Sequence, residues 1–98
     1  MFVLRRVQGL SMLPALRPGQ IVLARKRPAR ISLGDILIIR HDGLEKIKRV
    51  QRVSPGRVFV VGDNAAYSTD SREFGWLENR AIVGKVCWPV RRSPAKIA

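Results

Sequence analysis

The sequence predicts an all-β (mainly β) domain, a small, partly open barrel or folded sheet of about six strands. Three observations carry this. Apolar residues come in bursts of strand length: "FVLRRV", "QIVLARK", "DILIIRH", "LEKIKRV", "RVFVVGD" and "AIVGKVCWPV". The bursts are rich in Val and Ile, whose branched Cβ atoms suit a pleated surface better than a helix. Between them lie "RPGQ", "SLGD", "HDG" and "SPGR", clusters of turn-forming residues.

Taken in order, "FVLRRV" is the first strand. It is followed by "SMLPALRPG", a stretch that hints at a helical turn kept short by Pro14 and Pro18. "QIVLARK" and "DILIIRH" are the next two strands, and His41-Asp42-Gly43 is the best hairpin candidate, joining the third strand to "LEKIKRV". "SPGR" turns that strand into "RVFVVGD", and "AIVGKVCWPV" closes the set. The connection "GDNAAYSTDSREFGWLENR", Gly62 to Arg80, breaks the pattern. A polar loop so long in so small a domain points to function.

The 98 residues fit one domain, with a core over 1–90 and a basic tail over 91–98. A hydrophobic content of 46% excludes disorder as the default state. Charge is lopsided, 19 Lys and Arg against 7 Asp and Glu for a net +12, which favours anionic partners. Aromatics are only 6% and do not interleave with the basic clusters, so a basic β-barrel binding nucleic acid is the weaker reading and no nucleic-acid partner is expected. Cys87 is the sole cysteine and His41 the sole histidine, which excludes an intrachain disulfide and multi-His or multi-Cys metal sites. Cys87 reads as a core residue, His41 as an exposed turn residue, and Trp76 and Trp88 as packing residues. No apolar run approaches the roughly 18 residues of a membrane span, and the N-terminus lacks a signal-peptide core. A soluble, cytoplasmic protein is the expectation, with peripheral contact to anionic lipid left open by the charge.

Chemistry enters with "GLSMLPAL", Gly9 to Leu16, where an isolated serine sits between large apolar residues. Ser11 becomes a nucleophile only if a neighbour takes its proton. With one histidine in a turn, the alternative base is a lysine of "LEKIKRVQRV". On an extended strand Leu44, Lys46, Lys48 and Val50 share a face, so parity leaves Lys46 and Lys48 equally eligible. A free lysine, with a pKa of about 10.4, is protonated at neutral pH. Bringing it to about 7 or 8 takes roughly 4 kcal/mol of selective destabilisation of the charged form, which burial and neighbouring cations supply.

"GLSMLPAL", "EKIKRV" and "VVGDNAAYSTDSREFG", in this order, resemble the serine-lysine peptidases of the signal peptidase I type (peptidase family S26), over residues 7–90. The resemblance implies a serine-type endopeptidase on a catalytic core of the signal peptidase and self-cleaving repressor kind, without a cofactor or metal. It implies Ser11 as nucleophile and Lys48, directly before Arg-Val, as general base. Ser68 would orient the lysine amine, Asp63 would pair with Arg49, and Asp70 with Arg72. The Ser11 N–H, with Gly9 and Gly62 beside it, would form the oxyanion and site support, and Met12 would line the substrate pocket. Gly9 stands where some signal peptidases place a second serine, and only residues 51–61 separate the lysine block from Gly62, too few for a large accessory β-region. Ten residues before Ser11 leave no room for cleavage of the chain's own upstream bond, so cleavage in trans is expected. Within the family the chain looks most like the group that matures nickel-type superoxide dismutase, which implies a precursor protein as partner and removal of its N-terminal propeptide. Signal peptidase-type processing of other preproteins at a membrane surface is the alternative.

Overall fold

The computed structural model describes residues 1–89; the basic tail expected at 91–98 lies outside them. Among the described residues seven strands form one antiparallel open sheet: β1 (Phe2–Arg6), β2 (Ile21–Arg25), β3 (Ile36–His41), β4 (Leu44–Ser54), β5 (Arg57–Val61), β6 (Leu77–Glu78) and β7 (Ile82–Trp88). Their order across the sheet is β1-β2-β7-β3-β4-β5-β6, so the last strand lies between β2 and β3. No helix among the described residues is long and apolar enough to cross a membrane.

Why these residues take these places is clearest in β3. "ILII" is a continuous apolar run, the pattern of a strand buried on both faces, and all four residues are buried. Ile36 and Ile38 join a core cluster with Val7, Met12, Leu16, Val22 and Ala24. Leu37 and Ile39 join a second with Val50, Val58, Val60 and Leu77. The curled sheet thus carries a core on each side of its middle strand. β3 turns into β4 through Asp42 and Gly43, at φ 52° and 74°, the two positive values that a tight hairpin of matching twist requires. His41 opposite Leu44 closes that turn.

The count of seven strands against the six expected comes from β6, two residues long, which pairs Leu77 with Val58 and Glu78 with Arg57. A strand so short has no alternation to read. The long connection is also more structured than a loop: it holds a 3-10 turn (Ala65–Tyr67) and one turn of helix, α1 (Ser71–Phe74). Asp70 caps α1 by accepting from the Arg72 N–H, and Asp70 with Glu73 three residues on is the acidic variant of a capping-box pattern. "SMLPALRPG" makes a single helix-type bond, Leu16 N–H to Met12 carbonyl at 2.9 Å, and no helix.

Three side chains depart from expectation. Cys87 is exposed rather than buried: Leu23 pairs with Trp88 and Ala24 with Val86, so Cys87 is the extra residue of a bulge and has no place in the ladder. His41 is half-buried rather than exposed, because its ring stacks on Phe74 with centroids 3.9 Å apart. Trp88 is 62% exposed, whereas Trp76 packs edge-on against Phe59.

Candidate active site

The turn after β1 and the first half of β4 face each other across a cleft of about 540 Å3. Gly9, Ser11 and Met12 line one wall, Ile47 and Lys48 the other, and Thr69 lines it from the loop after β5. Ser11 is half-buried and Met12, 1% exposed, belongs at once to the cleft wall and to the core beneath it. Gly9 has φ +75°, a backbone state in which glycine is at ease.

β4 sets the two lysines at different depths. In register, Lys46 lies opposite Ile39 and Lys48 opposite Leu37. Lys46 stays half-buried, its ammonium 5.2 Å above the Phe74 ring. Lys48 is 4% exposed and donates from Nζ to Ser68 Oγ at 2.9 Å. Among the described residues no hydrogen bond joins Nζ to Ser11.

Ser68 is held by the loop that leaves β5. Its hydroxyl donates to Asp70 Oδ2 at 2.5 Å, so the oxygen's lone pairs are turned to Lys48. Asp70 is fully buried and also accepts from the Gly62 N–H at 2.8 Å and from the Arg72 guanidinium at 2.9 and 2.5 Å. Gly62 is where the loop passes between Ser68 and the Ser11 segment; a Cβ there would lie 2.6 Å from Ser68 Cβ and 2.7 Å from the Ser11 carbonyl oxygen. That carbonyl accepts from the Asn64 N–H at 2.8 Å, and Asn64 Nδ2 donates to the Leu10 carbonyl at 3.1 Å. Arg49 anchors the loop's root through a two-pronged pair with Asp63, at 2.7 and 2.8 Å, and donates to the Gly34 carbonyl at 2.8 Å.

Electrostatics follow from this burial. Desolvation pushes the Lys48 pKa down; the Asp70 charge opposes that, and the like charges of Lys46 and Arg72 add to it. Burial by itself would raise the Asp70 pKa, but hydrogen bonds from Arg72, Ser68 and the Gly62 N–H outweigh it and hold the carboxyl well below its usual range. A buried amine biased toward neutrality, with one N–H occupied by Ser68, has a lone pair to offer a hydroxyl in the same cleft.

The structure therefore brings Gly9, Ser11, Met12 and Lys48 to one cleft, sets Ser68 against Lys48 and Gly62 against the Ser11 carbonyl, and places Arg49, Asp63, Asp70 and Arg72 behind them. Sequence reasoning missed Asn64, which ties the loop to the Ser11 turn through both backbone and side chain. Its position directly after Gly-Asp was the available signal, since Asn at a loop entry commonly bonds to backbone.

Comparisons with known proteins agree with this architecture. The Peptidase S24-like family matches residues 1–87. Signal peptidase I of Bacillus caldolyticus is 41% identical over 69 residues, covering 67% of this chain and 38% of that protein. The mitochondrial ATP-independent inner membrane protease subunit 1a of Arabidopsis thaliana is 32% identical over 115 residues, covering 85% and 68%. Subunit 1b from the same plant is 35% identical over 111 residues, covering 84% and 66%. The chain thus spans little more than a third of the bacterial protein and about two thirds of the plant ones. The curled β-sheet, the cleft beneath it and these likenesses converge: the chain belongs to the Peptidase S24-like family and is a homologue of signal peptidase I.

Proposed function

We propose that the protein is a serine endopeptidase whose nucleophile is Ser11 and whose general base is Lys48. The observation that carries this is the buried Lys48 amine, its pKa pushed down, oriented by Ser68 in the cleft that holds Ser11. In the proposed reaction neutral Lys48 Nζ takes the proton from Ser11 Oγ as that oxygen attacks a substrate carbonyl. The oxyanion faces the Ser11 N–H, a donor type worth a few kcal/mol in such transition states. Protonated Lys48 passes its proton to the leaving amine, freeing the C-terminal product. It then activates a water that hydrolyses the acyl-enzyme and restores Ser11.

The substrate we propose is a precursor protein that loses an N-terminal propeptide, with the nickel superoxide dismutase precursor as the first candidate and the cytoplasm as the compartment. Support comes from the sequence resemblance in the Gly62–Gly75 block. Signal peptidase-type processing of other preproteins is the second reading, favoured by the bacterial relative's name.

The test is incubation of the purified chain with a nickel superoxide dismutase precursor, reading the new N-terminus by mass spectrometry, beside Ser11→Ala and Lys48→Met. Cleavage at one bond, lost in both variants, is the expected outcome. Cleavage that survives either substitution would remove the dyad, and an untouched precursor would remove the substrate.

A further inference from the structure

Beyond the cleft lies a second concavity, about 360 Å3, between the start of β1, the end of β2, the end of β3 and the entry to β7. Its rim is built from five cations: Arg5, Lys26, Arg27, Arg40 and Arg80. Its floor is apolar, with Val3 and Val83 packed on the first core cluster. Among the described residues no carboxylate side chain lines it. Lys26 and Arg27 have no carboxylate partner among the described residues, and the Arg80–Glu78 pair is exposed at 86% and 63%, so it holds Arg80 only weakly.

This groove adjoins the cleft through a shared side chain. Arg5 lines both, and Glu45, which lines the cleft, grips Arg5 at 2.6 and 3.1 Å and Arg40 at 3.1 Å, setting two guanidinium groups at the junction. A peptide lying in the cleft and running from Lys48 toward Glu45 passes three residues of β4, about 10 Å, before it meets the first of these cations.

We propose that the groove is an accessory substrate site that takes a carboxylate-rich peptide segment, three to six residues from the scissile bond. This rests on the peptidase reading above and adds the chemistry of the segment recognised. Guanidinium forks match carboxylates in shape as well as charge. Among the described residues the groove has no aromatic lining, which a stacking site for single-stranded nucleic acid uses, and it is concave rather than a protruding apolar face suited to a bilayer. Peptide is also the polymer that the adjoining cleft is shaped to hold.

The test has two arms, both with the full chain. In the first, peptides identical around the cleavage site carry either Glu or Gln at the third to sixth positions, on each side in turn, and KM and kcat are compared for the wild type and for Lys26→Gln/Arg27→Gln/Arg80→Gln. None of these three residues lines the cleft. The expected result is a KM about tenfold lower for the Glu peptide on one side, with kcat unchanged, and loss of that preference in the variant, which still cleaves the Gln peptide as the wild type does. In the second arm, anisotropy of a rhodamine-labelled Glu-rich decapeptide without a cleavage site measures binding directly, so the groove is judged even if no peptide is cut. Tighter binding to the wild type than to the variant, weakening with salt, supports the proposal. Equal KM for both peptides, a preference that survives in the variant, or equal binding of the decapeptide by the two proteins would overturn it. Binding of anionic vesicles or single-stranded DNA that the variant loses, with no binding of the decapeptide, would overturn it too and assign the groove to that polyanion.

Discussion

Lys48 Nζ donates to Ser68 Oγ at 2.9 Å, and that hydroxyl spends its own proton on Asp70. The direction of this relay keeps a proton acceptor, not a donor, in front of the lysine. Ser68→Ala removes the acceptor and leaves the amine free to rotate. The expected effect is a fall in kcat of about 10²-fold with KM little changed, read from steady-state kinetics on a cleavable precursor peptide. A change confined to KM would give Ser68 to substrate binding instead.

The pH dependence has a defined sign. Burial lowers the Lys48 pKa, and only the deprotonated amine accepts a proton, so kcat/KM rises with pH through that lowered value, below the roughly 10.4 of a free lysine. Lys46 is one of the like charges that lower it. Lys46→Gln therefore moves the rising limb to higher pH and reduces activity at neutral pH. A profile flat from about pH 6 to 10 in the wild type would remove lysine as the base.

Gly62→Ala tests the close approach of the loop to the Ser11 turn. The added methyl has Ser68 and the Ser11 carbonyl in its way, and backbone must shift to admit it. A loss of about 1–3 kcal/mol in urea unfolding is expected, together with a fall in kcat larger than that of a surface Gly→Ala control.

Asp63→Asn leaves the Arg49 guanidinium, whose side chain is 4% exposed, without its carboxylate. Breaking a buried pair by removing one partner costs about 3–5 kcal/mol, read as a lowered denaturation midpoint. The double substitution Arg49→Met/Asp63→Leu should recover part of that loss, since no buried charge is left behind.

Asp70 sets the acid limit of the fold. Its pKa is depressed in the native state, so the stability it contributes is complete above the unfolded value of about 3.9 and is lost as pH falls below it. Urea midpoints between about pH 6 and 2 should fall steeply for the wild type and less steeply for Asp70→Asn, which starts from a lower plateau.

Much of this was legible beforehand, and the exceptions have physical causes. The six longer strands each carry enough alternating or continuous apolar residues to be seen, while two-residue β6 does not. Parity left Lys46 and Lys48 tied because a strand's period says which face a residue takes and nothing of how deep the sheet is at that point. Only the curl of the sheet separates the mouth, where Lys46 meets Phe74, from the interior, where Lys48 meets Ser68. Cys87 was misread because a bulge is a property of the pairing between β2 and β7, and one strand's sequence does not announce it. His41 was misread because its cover, Phe74, comes from a helical turn more than thirty residues on. Short α1 did carry a signal, the Asp70 to Glu73 spacing, overshadowed by the chemistry of the same stretch.

The place of β7 has a bearing on how the sheet is assembled. Ser11 belongs to the β1–β2 hairpin and Lys48 to the β3–β4 hairpin, and among the described residues these two hairpins touch within the sheet only through β7, which follows both in the chain. Until that strand is in place, nothing in the ladder fixes one hairpin's register against the other's. A chain cut short near residue 81 therefore holds every residue of the proposed dyad and its supports yet should cut nothing, and the switch from inert to hydrolytic falls when β7 is added and the sheet closes.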